Sequence, residues 1–592
     1  MTCYKIYRLL LLLFLSFVAL SINAQECADE SVLAKHSWYK IPIVEKGFYK
    51  ITYDDLEELG IDMKNINPKN ISIFGNVNGI LPESNKIHNY DDLTEMNIIV
   101  SGEDDEAFDE EDHIIFYAQD QVKWDLREND FFYHNTNYYS DTSYYFLRID
   151  GESDGKRILP YEVPDIVSDN IIDRFVDYKC HEIDLNNHYY QGRRWYGETV
   201  SLSTVPELKF SFVFPNIVET EYAYIRANLV GASSSENFCG TIRVNEDMLF
   251  DTIRINKAGP YLFGTEINKV SYFNSEKDTI NVDVSIMANN SASLIGVDFI
   301  EINAWRYLKY NNEELYFNIL PKQMNVSGNK IVIDNAVDDL KLFDITDPLN
   351  IYSCIFNIDD NDASYEFVSD DFKSFVLTGE NYYRDIIDIR PVKNQNLHSI
   401  SSAEMLIISH PLFMEEAEQI SRIHEEYDAL NTVVVNVNEI YNEFSSGSVD
   451  VTAIRNFIRM VYDRDNSLKY VLLMGRGNCD YKNILKMNNN FIPPYESIVT
   501  YSEINSYVTD DYFALLDNDE GQDCYGTVDI GIGRIPVSTK TEARGVVEKI
   551  IRYIRNDVDN FDDWRTKILF IADDDVVEYA RNNDALERII DS

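Results

Sequence analysis

Between residue 25 and about residue 395, apolar and polar positions alternate in short runs, as in "HSWYKIPIVEKGFYKITY", "DHIIFYAQ", "SYYFLRID", "LKFSFVFP" and "GVDFIEINAWRY". A period of two, rich in β-branched and aromatic residues, predicts half-buried strands. The runs are separated by turn-forming stretches such as "NPKN", "DDND" and "NVSGN". Helical spacing is sparse; "YDDLEELG" is one short helix, closed by Gly60. No fixed-period repeat is present. Many short strands with few helices predict β-rich, sandwich-like modules, which we divide at 25–165, 166–310 and 311–398.

From residue 399 to residue 592 the pattern changes to strand and helix in alternation. "EMLIISH", "NTVVVNV", "KYVLLMG", "VDIGIGRIPV" and "KILFIAD" read as buried strands. Between them, residues 411–430 place Phe413, Ala417, Ile420, Ile423, Tyr427 and Leu430 at helical spacing, with Pro411 in the first turn. "SVDVTAIRNFIRMVYD" and "STKTEARGVVEKIIRYIRN" are further helices, the second with a capping box from Thr539 to Glu542. Such alternation predicts a mostly parallel sheet covered on both faces. Chemistry in such sheets sits in loops after the strands' C-terminal ends. Those loops here are 409–411, 475–482 and 572–575, with "SYVTDDYFALLDNDEG" leading into the strand at 528.

The N-terminus adds a destination. Lys5 and Arg8 precede an apolar run from Leu9 to Leu20, and Asn23-Ala24 offers a small residue before a cut at Gln25. This is the pattern of a signal peptide over 1–24 and is too short for a comfortable membrane span. Cys27 lies beyond the cut, where a lipoprotein would need the cysteine at the cut itself. The net charge of −49, from 101 acids and 52 bases, leaves no basic footprint for nucleic acid. The remaining cysteines are scattered with no C-x-x-C, and no H-E-x-x-H occurs, so neither a zinc knuckle nor a zinc peptidase motif is present.

Four features bear on chemistry. "YVLLMGRGNCD" has a strand followed by G-x-G, but Asp480 occupies the third glycine position and no Gly-Lys-Ser/Thr follows, so a sharp glycine turn is the expectation. Cys479 in that loop would need a base, and His410 at another strand end is the candidate. Asp510, Asp511, Asp517, Asp519 and Glu520 form an acidic loop that is either solvated or bridged by Ca2+. Asp573, Asp574 and Asp575 stand at a strand end, where they either cap the next helix or orient a histidine.

The segments "IYNEFSSGSVDVTAIRNFIRMVYDR", "YVLLMGRGNCDYKN", "SYVTDDYFALLD" and "VDIGIGRIPVSTKTEARGVVEKIIRYI" resemble the gingipain-type cysteine peptidases, and within them the sortases of the type IX secretion system. "WYKIPIVEKGFYKITYDDLEELGI", "YDDLTEMNIIVSGEDD", "IIFYAQDQVKWDL" and "GRRWYGE" extend the resemblance over nearly the whole mature chain. It implies β-rich modules followed by a caspase-like (gingipain) α/β domain, incomplete at the C-terminus. It implies a cysteine endopeptidase that removes C-terminal sorting domains from cargo proteins at the outer membrane or cell surface. Other type IX secretion components are implied as partners, and surface lipopolysaccharide as acyl acceptor. No cofactor is required beyond a structural Ca2+, to which the resemblance assigns Asp510 and Asp511.

The family's catalytic histidine lies in a Tyr-Thr-Gly-His-Gly segment after the strand "KILFIAD"; no Gly-His-Gly occurs here, so the histidine and cysteine are expected beyond Ser592. Cys479 and His410 do not match the family's positions. The acid that assists the histidine falls, by spacing from Trp564, on Asp575. Gly475-Arg476-Gly477 stands where the family usually has Gly-Asp-Gly. The chain alone is expected to lack peptidase activity, and the rival reading is a non-enzymatic exported surface or adhesion module.

Overall fold

The computed structural model describes residues 27–569, except 64–65, 77–78, 88–89, 162–167, 188, 260, 360, 557–562. The signal-peptide segment, the strand end at 572–575 and the helix expected after it lie outside the described residues.

The first β-rich unit is two sheets over one core. One runs Arg390–Val392, Trp38–Ile43, Ser143–Arg148, Ser72–Gly75, Thr94–Met96; the other runs Arg384–Asp385, Gly47–Thr52, His113–Ala118, Ile99–Ser101. Ile41, Ile51, Ile73, Phe116 and Leu147 are buried between them. The strands at 384–392 are supplied by chain that has already passed through two further units: Trp38 pairs with Val392, and Tyr49 with Arg384. The one helix foreseen here forms over Tyr53–Glu58, started by a capping box between Thr52 and Asp55.

The second unit is a β-sandwich. Arg174–Glu182, Leu294–Tyr307, Ala223–Ala232 and Thr265–Phe273 form one sheet, and Glu207–Val213, Thr279–Met287, Phe238–Val244 and Asp247–Ile255 the other. Alternation does what it should: in Thr279–Met287, Ile280, Val282, Val284 and Ile286 enter the core while their neighbours face outward. A third unit stacks the sheet containing Lys341–Asp344 and Lys373–Thr378 on that of Asn329–Ile333 and Asp362–Phe367, around Phe317, Ile331, Leu342 and Phe375.

The last unit is the parallel sheet the alternation predicts, in the order Thr432–Asn436, Met405–Ser409, Tyr470–Met474, Gly531–Ile535, every pair parallel. Met405–Ser409 is central and buried throughout. Helices Met414–Asp428 and Lys540–Ile554 cover one face; Val437–Phe444 and Val451–Asp465 cover the other. The helix Val437–Phe444 departs from expectation. "NTVVVNV" reads as strand through Val437, but the Asn436 side chain accepts from the Asn438 N–H and starts a helix one residue earlier. Among the described residues no helix is long and apolar enough to cross a membrane.

Candidate functional site

Parallel strands present their C-terminal ends together, so Ser409, Asn436, Met474 and Ile535 define one edge. The loop leaving Met474 is held by a single cation. Arg534 forms a fork on Asp510, Nε to Oδ2 at 2.8 Å and Nη2 to Oδ1 at 2.7 Å. Its Nη1 also donates to the carbonyls of Gly475 (2.8 Å) and Ile492 (2.6 Å). One guanidinium thus fastens both ends of the 475–494 loop to Asp510.

The glycine turn beneath it is set by crowding. Gly475 has φ +149°, and a Cβ there would stand 3.0 Å from Phe491 Cβ. A Cβ on Gly477 would be 2.5 Å from both the Ile492 carbonyl and Pro494 Cδ. Asp480, at the position where a dinucleotide turn needs glycine, is buried and accepts from the N–H groups of Ile484 and Leu485. Arg476 projects outward at this edge, while its carbonyl accepts from Phe491 N–H.

His410 sits at the end of the central strand. Its Nδ1 accepts from Leu412 N–H at 3.2 Å, its ring packs edge-on against Phe491, and burial pulls its pKa down. Cys479 is 8% exposed; burial, then the nearby Glu496 charge, pushes its thiol up to about 12. A thiol held protonated is a poor nucleophile, and no hydrogen bond joins Cys479 to His410 among the described residues.

Of the acidic loop, Asp510 has both oxygens on Arg534, and Asp511 is exposed with its N–H on Thr509 Oγ1. Carboxylate oxygens of Asp517, Glu520 and Asp529 lie within 4.8 Å of one another. Glu520 is anchored there by the N–H groups of Thr527 and Asp517. Asp573, Asp574 and Asp575 fall outside the described residues.

Sequence reasoning did not find the contacts that seat the upstream units on this domain. Glu83 pairs with Arg193, accepts from the Asp523 N–H at 2.9 Å, and offers its carbonyl to Arg455 at 2.6 Å. Arg193 N–H donates to the Ser497 carbonyl, and Gly192 N–H to Glu496 Oε2. Trp195 Nε1 donates to the Cys479 carbonyl, and Lys482 bridges Asp141 and Asp184. The segment "GRRWYGE" is therefore a strap lying over the loops that follow the strand Tyr470–Met474. Its only local signal is a pair of arginines beside an aromatic pair.

Residues 398–592 match the family model described as Peptidase family C25. Among solved structures, that of dimeric latent PorU from Porphyromonas gingivalis matches with TM-score 0.76 at 24% identity, covering 91% of this chain and 51% of that one. The chain thus spans about half the length of that PorU. A family 35 carbohydrate-binding module from Clostridium thermocellum matches at TM-score 0.13 and 12% identity, covering 22% of this chain and 90% of the module, a likeness too slight to characterise any unit. No curated protein matches. The match to family C25 begins where the parallel sheet begins, and the match to PorU runs through the β-rich units as well. Residues 398–592 are thus similar to peptidase family C25, in a chain that has the fold of latent PorU.

Proposed function

We propose that this chain is the N-terminal part of a type IX secretion sortase, a cysteine endopeptidase that cleaves C-terminal sorting domains from exported cargo at the outer surface. The supporting observation is the extent of the likeness. A gingipain-type domain alone would account for residues 398–592, whereas the PorU fold covers 91% of the chain, β-rich units included.

In this reading the cysteine and histidine follow Ser592, on the continuation of the sheet past Gly531–Ile535. The thiolate attacks the scissile carbonyl while the histidine carries the proton to the leaving amine. Water or an amine of surface lipopolysaccharide then resolves the acyl-enzyme. Asp575 is the candidate orienting acid for the histidine, and Asp510 and Asp511 remain candidates for a calcium-bearing loop; Asp510 would have to release Arg534 to serve. The signal-peptide pattern at 1–24 supports export.

The test is to read the coding sequence past Ser592 and express the continued chain with a cargo protein. Release of the sorting domain, abolished when the downstream cysteine becomes alanine, is the expected result. A frame without a Tyr-Thr-Gly-His-Gly-like segment, or cleavage that survives loss of the cysteine, overturns the reading and leaves an exported surface module.

A further inference from the structure

The hairpin of Lys123–Leu126 and Phe132–Asn135 leaves the first unit and lies on the outer face of the sandwich sheet. Beneath it is a cluster that the peptidase reading does not use. His134 comes from the hairpin; Cys180 and Glu182, two residues apart and so on one face of their strand, come from Arg174–Glu182. A ring nitrogen of His134, Cys180 Sγ and a Glu182 carboxylate oxygen all lie within 4.8 Å of one another. We propose that His134, Cys180 and Glu182 bind a divalent transition ion of the zinc class, which pins the hairpin to the sandwich.

The ring is already oriented for this. His134 Nδ1 lies 2.6 Å from Glu301 Oε2, and Nε2 lies 2.5 Å from Glu182 Oε2. Glu301 is fully buried, held by Arg226 Nη2 at 2.7 Å and Nε at 3.2 Å and by the His134 N–H at 2.9 Å. A carboxylate fixed on Nδ1–H leaves Nε2 for a metal, the arrangement that sets tautomer and ring orientation in histidine metal sites. Arg226 approaches the ring at Nδ1, at 3.5 Å, so its charge adjoins Glu301. Cys180 Sγ stands 3.5 Å from Nδ1, so the thiol has to turn about its Cα–Cβ bond to join Glu182 on an ion at Nε2.

The donor set selects the ion. A thiol and an imidazole serve Ca2+ and Mg2+ poorly, whereas sulfur, nitrogen and one carboxylate suit zinc. Charge balance permits the exchange. Without an ion, His134 and Arg226 as cations offset Glu182 and Glu301. With one, a divalent cation displaces the Nε2 proton and the Cys180 thiol proton, both released to solvent, and the sum is unchanged. The Glu182 side chain is 17% exposed and gives a route inward, and Thr136 Oγ1 donates to its Oε2 at 2.7 Å.

The experiment is zinc titration of the chelator-stripped chain against a chromophoric competitor, with elemental analysis after desalting. The expected result is one retained zinc per chain with Kd below about 1 μM. Calcium should not compete, affinity should strengthen as pH rises, and Cys180→Ser and His134→Gln should lose the ion. Cobalt loaded into the unaltered chain should show a thiolate-to-metal absorption band, which keeps the test valid if a variant fails to fold. No retained zinc and no such band, or retention undiminished in a folded Cys180→Ser, overturns the proposal and leaves a proton-held ion-pair network.

Discussion

At the scale of single residues, the edge of the parallel sheet depends on Arg534. Its fork needs planar geometry that lysine lacks. Arg534→Lys is expected to lower stability by about 1–3 kcal/mol, read as a drop in urea midpoint at unchanged slope. Lys40 makes a different prediction. Its Nζ donates to Asn442 Oδ1 and the Gly447 carbonyl, both at 2.9 Å, and lies over the Tyr144 ring, with no carboxylate partner among the described residues. Burial pulls this amine down from 10.5 to about 7. Between those values the folded chain binds fewer protons at Lys40 than the unfolded chain, so this contribution to stability grows as pH rises. The urea midpoint of the unaltered chain minus that of Lys40→Met should therefore increase from pH 7 to pH 9. A difference that stays flat would show that the amine is not shifted. Neither residue's role was legible beforehand, because Lys40 and Asn442 are 402 positions apart and Arg534 and Asp510 are 24 apart, and no periodicity records either separation.

At the scale of elements, the sequence was far more readable, because period and caps act locally. The helix expected over 411–430 forms over Met414–Asp428, with Pro411–Phe413 as a tighter lead-in turn. The capping box at Thr539 is present in both directions. Thr539→Ala should cost about 1 kcal/mol, seen as a lower midpoint in a thermal melt. What failed locally was Val437–Phe444, where eight residues gave too short a period to outweigh three consecutive valines.

At the scale of the whole molecule, the parallel-sheet domain is seated by a latch. Glu83 and Arg193 are both more than nine-tenths buried, and they meet Arg455, Tyr139 and the loop at 497–523. Removing one partner strands the other as a buried charge. Glu83→Ala should cost about 3–5 kcal/mol. Calorimetry is expected to resolve an early transition for residues 398–556, with faster protease nicking in the strap at 192–198. A single unshifted transition would mean that the domain does not depend on the latch.

The return of the chain at 384–392 carries a consequence for assembly. The unit begun by Trp38–Ile43 receives its outermost strands only after some 350 residues of intervening chain, since Trp38 faces Val392 across the ladder. A chain synthesised or translocated from its N-terminus must keep that border unpaired while both later β-rich units emerge, a contact of high sequence separation and so a slow one. The first unit to appear is thus the last of the three to close. A stalled chain ending before residue 384 would carry an open backbone edge of the kind that other strands invade.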